Sequence, residues 1–102
     1  MEFDSHPAGA GLTVTLKGRM EFTDHEHLRT LVRLMENLPS ASVYAIDAGG
    51  LDFIDSAGLG MLLILEEEAE QRGLKLVIRG IRGGVRRSIE LARIDDIITI
   101  EP

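Results

Sequence analysis

From Leu12 to Lys17 the chain alternates: Leu12, Val14 and Leu16 are apolar, and Thr13, Thr15 and Lys17 are polar. A period of two puts alternate side chains on opposite faces of an extended backbone, so this stretch predicts a half-buried strand, closed by Gly18. The period then changes. Leu28, Leu31, Val32 and Met35 recur at i, i+3, i+4 and i+7, which lines one face of a helix. Ahead of that stripe, Thr23-Asp24-His25-Glu26 fits a capping box, with the Thr23 hydroxyl accepting from the Glu26 amide and the Glu26 carboxylate from the Thr23 amide. Asn37-Leu38-Pro39 stops the helix, because the residue before a proline is pushed out of the helical region.

Val43-Tyr44-Ala45-Ile46 reads as a buried central strand, broken by Asp47-Ala48-Gly49-Gly50. Leu51 to Ile54 then leads into Asp55-Ser56. A second helix spans about Ala57 to Arg72 and ends at Gly73, a residue suited to the position after a helix. Its first half is apolar all round and predicts burial, with Met61 and Ile64 the candidates for an exposed flank. Its second half, Glu66-Glu67-Glu68-Ala69-Glu70, is solvated. Leu74 to Ile78 is a further strand, Val85 to Arg93 a third helix and Ile97 to Ile100 a last strand. Residues 1–11 are weakly patterned: Phe3 suits a short edge strand, and His6 to Gly11 a turn or loose connection.

This β–α–β–α–β–α–β order predicts an α/β fold, a single domain over residues 1–102 with a mixed sheet of four to five strands. Three helices are too few to cover both sheet faces, so they belong mainly on one. A chain of 102 residues has length for one core and no second module. With 44% hydrophobic and 27% charged residues it is a folded soluble domain by composition. Three Phe, one Tyr and no Trp leave the core to aliphatic side chains.

Charge and cysteine content narrow the function. A net charge of −6 argues against holding nucleic acid by counterion release. The absence of cysteine removes disulfides, thiolate metal sites and thiol catalysis. The longest apolar run, Ala57 to Leu65, falls short of the ~20 residues that span a bilayer. Met1-Glu2-Phe3-Asp4 is acidic where a secretory signal is basic. The expectation is a cytoplasmic protein that does not engage membranes.

The most informative segment is Asp55-Ser56, a polar pair between two apolar stretches where a helix begins. Either residue could simply cap free amides. The position also suits a switch. A helix N-terminus offers unpaired amides and the positive end of a dipole, so it accepts a phosphate without disrupting the fold. A phosphoserine beside Asp55 would add about −1.5 to −2 charge to the surface. Gly58 and Gly60 remove bulk that would hold off another protein's backbone.

At this point the residues are similar to a known family. The run "LDFIDSAGLGMLLIL" resembles the Asp-Ser-[Ser/Ala]-Gly-Leu-Gly signature of STAS domains in bacterial anti-sigma factor antagonists. "LTVTLKGRMEF" resembles the family's second strand and following turn, "VYAIDAGGLDFIDS" its central strand, and "GVRRSIELARIDDIITI" its last helix and strand. Four collinear segments cover about residues 12–100. The resemblance implies a non-enzymatic binding protein without cofactor or metal, phosphorylated at Ser56. It implies partner binding through Asp55, Ser56, Ala57, Gly58, Leu59, Gly60 and Met61, together with Asp24. The implied partners are an anti-sigma factor that is also a serine kinase of the histidine-kinase-like ATPase fold, and a PP2C-type phosphatase. The unphosphorylated form would bind the anti-sigma factor and release a sigma factor. Ala57 departs from the second Ser of many members, and Arg82-Gly83-Gly84 from their Ser/Asn-Pro step. Phe22-Thr23-Asp24-His25 resembles a subgroup whose regulators combine kinase and phosphatase parts, which allows a target other than a sigma factor.

Other chemistries fit less well. His25 and His27 flank Glu26, but residues two apart on a helix do not share a face. Asp47 ends a strand as a receiver's phosphoacceptor does, without the acidic pair and Lys a receiver needs; accepting from loop amides near Ser56 suits it better. Arg79, Arg82, Arg86 and Arg87 form a basic cluster, either a solvated flank or a patch for an acidic partner. A hydrolase elbow would need Gly where Ile54 stands, and no Gly-x-x-x-x-Gly-Lys phosphate loop occurs. The alternative within the same fold is a non-switching STAS subunit of a larger complex, such as one for lipid transport.

Overall fold

A computed structural model describes residues 1–102. Its elements are β1 (Glu2–Ala8), β2 (Gly11–Met20), α1 (His25–Arg33), β3 (Val43–Ile54), α2 (Ser56–Gln71), β4 (Lys75–Arg79), α3 (Gly83–Leu91) and β5 (Thr99–Glu101). The strands lie in one sheet in chain order. β1 and β2 form an antiparallel hairpin, and every later pair is parallel, so the sheet is mixed.

Parallel neighbours must be joined by crossovers. Successive crossovers that advance in one direction with one hand stack their helices on one side. The core has that layering. Val14 and Leu16 of β2, Tyr44 and Ile46 of β3, and Leu76 and Ile78 of β4 share a single apolar cluster with Leu31, Met61, Leu65, Val85 and Ile89 of the three helices. The alternate residues Thr13, Thr15, Lys75 and Arg79 are partly or fully exposed. Tyr44 is completely buried, and its hydroxyl donates to the Leu31 carbonyl at 2.8 Å, tying β3 to α1. Burial pushes its phenol above the ordinary value.

Several local expectations are corrected. Residues 2–8 are a full edge strand, including His6 and Pro7, and only Gly9-Ala10 turn; an edge tolerates a proline that cannot donate. β2 continues past Gly18 to Met20, and β3 runs for 12 residues straight through Asp47-Ala48-Gly49-Gly50. The glycines there answer to close approach rather than to a strand end. A Cβ on Gly50 would sit 2.9 Å from the Leu16 carbonyl, beside a register shift between β2 and β3. The Thr23 capping box does not form. A short 3-10 turn, Phe22–Asp24, precedes α1, and Asp24 stands at the N-cap with its carboxylate turned back onto the Glu21 amide at 2.7 Å. The first helix ends at Arg33, ahead of the expected Asn37-Leu38-Pro39 stop and short of Met35; the remaining helix and strand limits agree to within about two residues, the usual play of such boundaries.

Candidate functional site

β2, β3 and β4 run parallel, so their C-terminal ends share one edge of the sheet, and the Ser56 turn lies there. Asp55 is the extended N-cap of α2, and one of its carboxylate oxygens accepts from the Gly58 amide at 2.8 Å. The other accepts from the Phe22 amide at 3.3 Å, reaching the loop between β2 and α1. The Asp55 amide in turn donates to the Met20 carbonyl at 3.2 Å. One residue thus ties together the ends of β2 and β3 and the start of α2. Because Asp55 does the capping, Ser56 is relieved of it. Ser56 is the first residue of α2, exposed.

Gly58 and Gly60 serve different neighbours. Gly58 is buried, and a Cβ on it would lie 2.5 Å from the Met20 carbonyl and 2.7 Å from Ile54 Cγ1. Its missing side chain admits this chain's own backbone, not a partner's. Nothing lies within 4 Å of a Cβ on Gly60. Ala57 and Leu59 are half-buried. Met61 is 5% exposed and belongs to the core, whereas Ile64 is 45% exposed.

Asp24 is also turned inward. It is 5% exposed, with one oxygen 2.7 Å from the Met1 ammonium and 3.4 Å from His27 Nδ1. Burial alone would raise its carboxyl. The hydrogen bonds from the Met1 ammonium and the Glu21 amide, with the charges of that ammonium and of His27, outweigh this and hold it below the ordinary range. The two histidines part company. His25 Nδ1 lies 3.2 Å from the Phe22 carbonyl, while His27 packs its ring edge-on to Phe3. Asp47 accepts from the Gly49 amide at 3.0 Å, inside β3 and away from the Ser56 turn.

The basic cluster is spread over separate tasks. Arg79 pairs with Glu101 at 2.6 Å, Arg82 donates to the Gly49 carbonyl at 3.0 Å, and Arg86 faces Glu90 at 3.8 Å.

Pattern reading missed the exposed apolar residues of this region. Phe22 is 70% exposed, with its ring 5.8 Å from that of His25. Leu63 lies on the outer side of α2 beside Ile64. A usable signal existed for Leu63, since a helix apolar on every side has more apolar surface than one core can take.

Known proteins share both fold and sequence pattern. A STAS-domain containing protein of Pseudomonas aeruginosa is 25% identical over 92 residues, covering 90% of this chain and 89% of that one. An anti-sigma factor antagonist from Mycobacterium paratuberculosis superposes with a TM-score of 0.80 at 20% identity, over 99% of this chain and 85% of that one. A sulfate transporter family protein from Wolinella succinogenes superposes with a TM-score of 0.76 at 18% identity, over 89% of this chain and 73% of that one. A family model described as "Mlab, STAS domain" matches residues 5–100, taking in nearly all of the parallel sheet, the Ser56 turn and all three helices: this chain belongs to the STAS domain family.

Proposed function

We propose that the chain is an anti-sigma factor antagonist that works as a binding switch through Ser56. In the unphosphorylated form it binds an anti-sigma factor that is also a serine kinase of the histidine-kinase-like ATPase fold. That sequesters the anti-sigma factor and releases a sigma factor, or an equivalent regulatory target. Phosphorylation of Ser56 abolishes binding, and a PP2C-type phosphatase restores it. The protein acts in the cytoplasm, without cofactor and without catalysis of its own.

The observation that carries this reading is the division of labour at the start of α2. Asp55 satisfies the Gly58 amide, and the exposed Ser56 is free to be modified. A phosphate there meets the positive end of a 16-residue helix, so the fold tolerates it. The same phosphate would change the charge of the surface offered to a partner. The likeness to the Mycobacterium paratuberculosis antagonist supports the same assignment.

Calorimetry against the cognate serine kinase tests it. Ser56→Ala should bind as the unmodified protein does, and Ser56→Asp should bind about tenfold or more weakly. Equal affinities would remove the switch. A second reading draws on the wording of the family model and on the transporter-family neighbour: a fixed STAS subunit of a larger complex, such as one for lipid transport, indifferent to Ser56. Transporter genes beside this one, in place of kinase or phosphatase genes, would favour it.

A further inference from the structure

We propose that the groove between α1 and α2 seats an amphipathic helix of the partner protein, with acidic side chains along the edge that meets α1. This deepens the reading of the Ser56 turn as the partner-facing surface and names what the partner brings to it.

The groove encloses about 410 Å³, with Leu28 and Val32 of α1 on one side and Ile64 of α2 on the other. α2 turns Met61, Leu62, Leu65 and Ala69 inward. The fold therefore makes no use of Ile64, which is 45% exposed, or of its exposed neighbour Leu63. Apolar side chains flanking a groove between two helices match the side-by-side anchors of a docked amphipathic helix.

Charge selects the occupant. Arg29 and Arg33, one turn apart on the α1 wall, are exposed. The ion pairs of the molecule are made by Arg19, Arg72, Arg79, Arg86, Arg93, His27 and the Met1 ammonium, and neither of these two arginines joins them. In a chain of net charge −6, the groove lip thus carries two unpaired cations against one carboxylate, Glu36. An acidic flank on the docked helix would pair them.

The groove also leads to the switch. His25 lines it, the His25 ring lies 5.8 Å from that of Phe22, and the Phe22 amide rests on Asp55. These contacts join the His25 end of the groove to Asp55, the residue before Ser56.

The test is selection from a displayed library of amphipathic helices with fixed apolar anchors and randomised flanks, on the full-length chain, with Ile64→Glu as counter-selection. Ile64 is half-exposed, so that variant should fold, and a thermal melt checks it. Enriched helices should carry Asp or Glu along one flank. Arg29→Glu/Arg33→Glu should weaken them about tenfold or more, and amide signals of Leu28, Val32 and Ile64 should shift on binding. The overall charge of the domain favours basic peptides, so an acidic preference can arise only locally. Basic or neutral flanks, binders indifferent to the Arg29/Arg33 reversal, or self-association of the chain through these residues would overturn the proposal. If acidic-flanked, groove-dependent helices emerge while the kinase binds Ser56→Ala and Ser56→Asp equally, the groove stands and the switch falls. If no groove-dependent helix emerges while the kinase still distinguishes the Ser56 variants, the switch stands and the groove falls.

Discussion

Asp24 and Asp55 each occupy the N-cap of a helix that follows a strand of the parallel sheet, α1 and α2 respectively. Residue type and position are the same, and the environments differ. Asp24 is buried and directs its carboxylate backward, to the Met1 ammonium, the Glu21 amide and His27. It closes a network that fastens the N-terminal strand to the start of α1. Asp55 is half-buried and directs its carboxylate forward to Gly58 and sideways to Phe22. It anchors the next residue without using that residue's side chain. A buried cap serves the fold; a cap at the surface also leaves its neighbour's hydroxyl exposed.

Four substitutions sharpen or break this contrast. The largest effect belongs to Gly58→Ala. The added methyl meets the Met20 carbonyl and Ile54, and overpacking of this kind costs about 3 kcal/mol. Urea unfolding should show it, and a loss under about 0.5 kcal/mol would mean that α2 is not wedged against the end of β2.

Next is Asp24→Ala, expected to cost about 2 kcal/mol by stranding charged and amide partners in a buried place. Its pH signature is distinctive. The folded-state carboxyl is lowered, so its stabilisation is complete above the unfolded-chain value and is lost as pH falls through the native one. Thermal melts below about pH 4 should fall more steeply for wild type than for Asp24→Asn. Parallel curves would show that the network carries no linkage.

Asp55→Ala should cost about 1 kcal/mol, the worth of an N-cap. It should also move the Phe22 amide resonance, which Asp24→Ala should leave in place. Smallest is Ser56→Asp, expected to stay within about 0.5 kcal/mol of wild type, because an exposed anion at a helix start is neutral or slightly favourable. A large loss there would mean that the hydroxyl is structural and the contrast with Asp24 is false. Calorimetric melts suffice for both.

Much of this was legible in sequence. The period-two and period-3.6 stripes locate the strands and helices, and the crossover rule stacks the helices on one face. Asp55-Ser56 stands out as a polar pair between apolar runs. What escaped depends on neighbours distant in sequence. Gly49-Gly50 look like a strand break locally, and only the approach of β2 shows why they continue one. Thr23-Asp24-His25-Glu26 satisfies a capping pattern, but the Asp24 carboxylate is drawn to Met1, 23 residues away. The exposure of Phe22 and the burial of Met61 follow from how α1 and α2 sit on the sheet, which no local pattern encodes.

The hydroxyl that Tyr44 lends to the Leu31 carbonyl has a practical corollary. Tyr44 is the sole tyrosine of a chain without tryptophan, so near-ultraviolet absorption and emission come almost wholly from one ring at the junction of β3 and α1. Loosening of that joint changes the signal directly, with no second fluorophore to mask it. In alkali the ring ionises more readily in the unfolded chain than in the native one. Phenolate absorption in strong base therefore times the opening of the core itself.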